Sequence, residues 1–125
     1  MNQRVITPKN LGDDKIMETF LLRNDENMDV EFDGELIGSA STNPNDSHPN
    51  YSGSAGRWVH MRLYKTEKGL LVLEEEKCTN WIDETNHNIV STYETEADLI
   101  ADLGTSKLSK ELYESAGIKA VRRLL

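Results

Sequence analysis

Arg57 to Lys77 reads RWVHMRLYKT, then EKG, then LLVLEEEK, and this stretch decides the fold. Successive side chains of an extended chain point to opposite faces. Trp58, His60, Arg62 and Tyr64 therefore share one side, and Val59, Met61, Leu63 and Lys65 the other. One face is largely aliphatic; the other carries two aromatics, a histidine and an arginine. Glu67, Lys68 and Gly69 form a short connection whose glycine supplies the positive φ that such turns need. Leu70 to Leu73 is apolar throughout and predicts a return strand covered on both sides, with Glu74, Glu75 and Glu76 ending its buried part. The region reads as a β-hairpin.

Upstream, Val5 to Leu11 contains Pro8 and is at best an edge strand, because proline donates no ladder hydrogen bond. Asp13 to Asn24 fits a helix through Ile16, Met17, Phe20 and Leu21, yet IMETFLLRN also alternates in part, so both readings stay open. In VEFDGELIGSAS, Val30 and Phe32 alternate with acids and Asp33-Gly34 is a strong two-residue turn signal, which predicts a second hairpin returning through Leu36 and Ile37. TNPNDSHPNYSGSAG, residues 42–56, has too little apolar surface to offset backbone ordering, and its composition predicts a flexible polar loop.

Downstream, CTNWID from Cys78 reads as a short strand or a continuation of the one before it, and Ile89 to Tyr93 as another strand. Thr95 can cap a helix stopped by Gly104, with Leu99, Ile100 and Leu103 as its buried stripe. Thr105 or Ser106 can cap a second, with Leu108, Leu112, Tyr113 and Ala116 on one face. Ile118, Val121, Leu124 and Leu125 make a last apolar stripe, through which self-association is a further expectation. The predicted fold is α+β: an antiparallel sheet of about five strands built from two hairpins, one face covered by two or three C-terminal helices.

At 125 residues the chain is a single domain by size, large enough to form a core without cross-links. The single cysteine, Cys78, has no internal disulfide partner, which suits a reducing compartment. No run approaches the about 18 apolar residues of a membrane span, and MNQRVITPKN lacks the apolar region of a secretory signal. A cytoplasmic protein without membrane contact is the expectation. The net charge is −8, yet Lys107, Lys110, Lys119, Arg122 and Arg123 outnumber Glu111 and Glu114 in the last segment, so the body is more acidic than the whole. An acidic body repels a phosphate backbone at long range, which disfavours direct nucleic-acid binding.

Catalytic signals are weak. His48, His60, His87, Cys78 and Asp46 are metal-competent, but their spacing matches no zinc motif, and neither metal nor cofactor is expected. Cys78 follows three glutamates, which suppress a thiolate nucleophile. No glycine run leads from a strand into a helix N-terminus as a phosphate loop requires. Trp58 and Trp81 read first as packing residues.

What remains is recognition. Tryptophan, tyrosine and arginine are the side chains enriched at binding hot spots. The expected site therefore comprises Arg57, Trp58, His60, Arg62 and Tyr64, with Tyr51 from the polar loop, and Glu74, Glu75 and Glu76 as an acidic patch. The expected function is that of a small acidic, non-enzymatic protein-interaction module with a basic partner, such as a phage or mobile-element inhibitor of a nucleic-acid-binding enzyme. The alternative is a small-ligand or enzymatic site on the polar face of residues 57–66, with Arg62 holding an anionic group.

Overall fold

The computed structural model describes residues 8–10, 16–42 and 56–124. In chain order these form β1 (Pro8–Asn10), β2 (Ile16–Leu22), β3 (Val30–Ser41), β4 (Arg57–Thr66), β5 (Leu71–Thr79), β6 (His87–Tyr93), α1 (Glu96–Leu103) and α2 (Lys107–Ala116). The strands make one antiparallel sheet in sequential order, β1-β2-β3-β4-β5-β6. The α+β class is as expected, with six strands, of which β1 is only three residues long.

The β4–β5 hairpin forms where its periodicity places it. Arg57 pairs with Thr79 and Lys65 with Leu71, and the connection closes with Gly69 N–H donating to the Thr66 carbonyl at a φ of 93°. The open choice at residues 13–24 resolves as a strand over Ile16–Leu22. Phe20 and Leu22 bury on one face while Leu21 is half-buried on the other, a period of two rather than 3.6.

The expected turn at Asp33-Gly34 does not exist. Val30–Ser41 is one continuous strand, and the reversal before it lies at 23–29, where Asn24 and Asp29 side chains bind backbone N–H groups. Gly34 is needed for a different reason. It pairs with Glu18 on one side and Thr66 on the other, and a β-carbon there would collide with the Lys65 carbonyl oxygen. The strand then carries an irregularity between Leu36 and Gly38, which puts Ile37 against the helices.

The sheet curls strongly. Asp25 N–H donates to the Asn88 carbonyl, Asn88 N–H to the Asp25 carboxylate at 2.6 Å, and Val90 N–H to Asn24 Oδ1. The β2–β3 connection thus reaches the edge of β6, which is three strands away from β3 in the sheet. The Asn88 contact also holds the Asp25 carboxyl below its ordinary range.

Two cores result. On the outer face, Met61, Leu63, Leu71 and Leu73 meet Leu99, Leu112, Tyr113 and Ile118. Thr95 caps α1 and Gly104 ends it, as their sequence positions predict; of the two candidate caps for α2 it is Ser106 that binds through its side chain, and Gly117 ends that helix. No third helix follows among the described residues: Ile118 enters the core, while Val121 and Leu124 stay exposed on an irregular segment. Inside the curl, Phe20, Leu22, Tyr64 and Val72 pack with Phe32 and Val90, and the rings of Phe20, Phe32 and Tyr64 lie 4.8–5.5 Å apart.

Candidate functional site

The inner face of the curl changes character along β4. Tyr64 belongs to the aromatic cluster; Arg62, His60 and Trp58 follow at two-residue steps toward the strand's start. Register sets Glu74 opposite Arg62, Glu76 opposite His60 and Cys78 opposite Trp58, all on this same face. Asn88 of β6 stands opposite Glu76 on its other side. The helices cover the opposite face, so Trp58, His60 and Arg62 are not buried beneath them.

Arg62 lies between two carboxylates. Its Nη1 donates to Glu74 Oε1 and to Glu76 Oε1, and its Nη2 to Glu76 Oε1, each at 3.3 Å. Tyr64 Oη also donates to Glu74 Oε1, at 2.9 Å. Glu74 is fully buried and Glu76 nearly so. Burial works against the guanidinium charge, but Glu74 and Glu76 outweigh it and raise the Arg62 pKa. The buried part of β5 therefore continues past Leu73, and of the three glutamates only Glu75 points to the helix side, half-buried.

Trp58 Nε1 donates to His60 Nε2 at 3.1 Å. His60, Glu76 and Cys78 bring a ring nitrogen, a carboxylate oxygen and a sulfur within 4.8 Å of one another. Burial, then the Glu76 charge, pushes the Cys78 thiol up. Sequence spacing missed this set because its members come from two strands. The signal was present only in the register: once β4 and β5 pair as they do, residues 60, 76 and 78 must share one patch. A depression of about 300 Å³ beside it is lined by Ser39, Ser41, His60 and Arg62. His48, Asp46 and Tyr51 lie outside the described residues.

Arg57 leaves this group for the β5–β6 connection. Its Nη2 pairs with Glu84 Oε2 at 2.5 Å, its Nε with Glu84 Oε1, and its guanidinium lies 4.0 Å from the Trp81 ring centre. Thr79 Oγ1 donates to Glu84 Oε1 at 2.7 Å and accepts from Trp81 N–H. Trp81, expected in the core, is 40% exposed, and its neighbour Ile82 is 100% exposed. The β2–β3 connection adjoins: His87 contacts Glu26 at 3.1 Å and Asp25 at 3.7 Å.

These contacts lower the Glu84 carboxyl from 4.5 to about 2, chiefly through Arg57 and Thr79. A carboxyl whose folded pKa is depressed adds stability above its unfolded value and loses it as pH falls toward the folded one. Order in residues 79–86 is accordingly expected to persist down to pH 4.5 and decline between 4.5 and about 2. Trp81 emission in a Trp58→Phe background reads this directly, and a Glu84→Gln variant with the same acid profile as wild type would refute it.

No helix among the described residues is long and apolar enough to cross a membrane. Comparison with protein-family models, with curated proteins and with solved structures gave no match.

Proposed function

We propose that this chain is a small acidic, non-enzymatic interaction module that engages a basic protein partner through its β2–β3 and β5–β6 connections. The observation that carries this is the Trp81-Ile82 pair, presented to solvent on a connection braced by Arg57, Thr79 and Glu84. An apolar side chain held out on an ordered loop loses little entropy on docking, which is the character of a binding anchor. Met28, 82% exposed, stands on the neighbouring connection.

The surroundings are acidic. Between Arg23 and Glu35 the only basic residue is Arg23 itself, against Asp25, Glu26, Asp29, Glu31, Asp33 and Glu35, and Asp83 follows Ile82 directly. Apolar anchors with a negative rim complement a cationic groove, the surface by which nucleic-acid-binding enzymes hold phosphates. An inhibitor that occupies such a groove, of the kind phages and mobile elements use, is the concrete form of this reading. Glu74 and Glu76 lend it no surface, being buried against Arg62.

Affinity capture from the host cell should be run in parallel with wild type, Ile82→Asp and Asp83→Lys. The expected result is a basic protein retained by wild type, released by raised salt, and bound at least about tenfold more weakly by each variant. Ile82 and Asp83 are exposed, so both variants keep the fold. Equal capture by all three proteins would sink the reading.

The alternative, a ligand site on the inner face of β4, has the depression beside His60 and Arg62 in its favour. Arg62, however, already faces two carboxylates and offers an incoming anion little net positive charge. Any ligand of this patch is better matched if it is neutral or cationic.

A further inference from the structure

We propose that His60, Glu76 and Cys78 form a zinc site inside the curl, independent of the interaction surface at the β5–β6 connection. Three arguments converge on it: donor chemistry, local charge and the partners left around the patch.

The donor set is one imidazole, one carboxylate and one thiol, held on paired strands with Glu76 opposite His60 and Cys78 two residues on. Nitrogen and sulfur together select zinc over magnesium or calcium, which take oxygen. Their ligating atoms lie within 4.8 Å of one another. Tetrahedral zinc with bonds of about 2.0–2.3 Å needs them about 3.5 Å apart. His60 is only half-buried and can close that gap by turning its ring. Arg62 binds Oε1 of Glu76, which leaves Oε2 for a second partner.

Charge suits a dication. Glu76 as carboxylate and Cys78 as thiolate would together offset the two charges of zinc, since coordination deprotonates the thiol. The proton goes to solvent and no redox change is involved.

The neighbours fit as well. Asn88 stands beside Glu76 in register, only 1% exposed, and both atoms of its side-chain amide have no hydrogen-bond partner among the described residues. A buried amide left so is costly, and a metal-bound water in the fourth position would give it a partner. The Trp58 indole must also respond. Its N–H is donated to His60 Nε2, and ligation breaks that bond whichever ring nitrogen is used: Nε2 would be occupied by metal, or would carry the proton itself.

The test is zinc titration of the full chain, freed of metal by a chelator, against a chromophoric competitor. One equivalent is expected to bind. His60→Gln and Cys78→Ser should each weaken it by at least about 10–100-fold, the loss already seen for changes outside the ligand set. Cobalt should give a thiolate charge-transfer band in wild type that Cys78→Ser lacks. In a Trp81→Phe background, Trp58 emission should change with the first equivalent of zinc and then stop. Binding that neither variant weakens, a cobalt spectrum without the band, or Trp58 emission indifferent to zinc would each overturn the proposal. His60→Gln, at a half-buried position, keeps the test decisive should Cys78→Ser fold poorly.

Discussion

Arg62→Met is expected to lower the unfolding free energy by about 3–5 kcal/mol, because it removes the guanidinium that both Glu74 and Glu76 face in a buried setting. Glu74 is the critical partner, with its side chain fully excluded from water and its Oε1 shared between Arg62 and Tyr64. Tyr64 donates one hydrogen bond but no charge, so it cannot replace the guanidinium. Natural domains have about 5–15 kcal/mol in total, and a loss of this size brings the variant near the folding threshold. Urea unfolding in the presence of chelator measures it.

Two companions make the result interpretable. Arg62→Lys keeps a charge but loses the fork that reaches Glu74 and Glu76 together, so an intermediate loss is expected. Adding Glu74→Gln to Arg62→Met should restore part of the stability, because the buried charge that Arg62 had faced is then gone. A loss below about 1 kcal/mol for Arg62→Met would mean that water reaches the carboxylates and that the pair behaves as a surface bridge.

Gly38→Val is expected to destabilise by about 1–3 kcal/mol and to loosen α2. The helix sits directly on this residue: a β-carbon at Gly38 would lie 2.7 Å from the Ala116 β-carbon, and 2.8 and 2.9 Å from the Ala116 backbone nitrogen and Cα. Two of those atoms are backbone and cannot swing aside, so the last turn of α2 must move as a unit. That turn carries Leu112 and Tyr113 into the outer core, and Ser115 Oγ accepts from Ser39 N–H beside the contact. Hydrogen exchange should rise across residues 107–118 while β4 and β5 stay protected. Unchanged exchange in α2 would show that the helix accommodates the extra carbons by sliding.

The sequence read well where local rules suffice. The alternation in β4, the Glu67-Lys68-Gly69 turn and the caps at Thr95 and Ser106 each depend on residues a few positions apart, and each appears in the structure. It failed at Asp33-Gly34, where a strong turn dipeptide lies in mid-strand. A glycine serves a tight turn and a close backbone approach equally well, and nothing within a few residues tells the two apart. Trp81 failed similarly. Its exposure follows from Arg57 and Glu84, which are distant in sequence and bind one another beside it.

The order of the amino acids thus determined by itself the central hairpin, the last strand, both helices and the acidity of the body. All of these rest on short-range periodicity, turn and cap chemistry, or composition. The curl of the sheet and the register of β4 against β5 decided the rest. They buried Glu74 and Glu76 against Arg62, gathered His60 and Cys78 around Glu76, and placed Gly38 under α2. Such contacts are fixed only when strands distant along the chain pair and bend together, so their energies belong to the assembled fold and leave no trace in any single stretch.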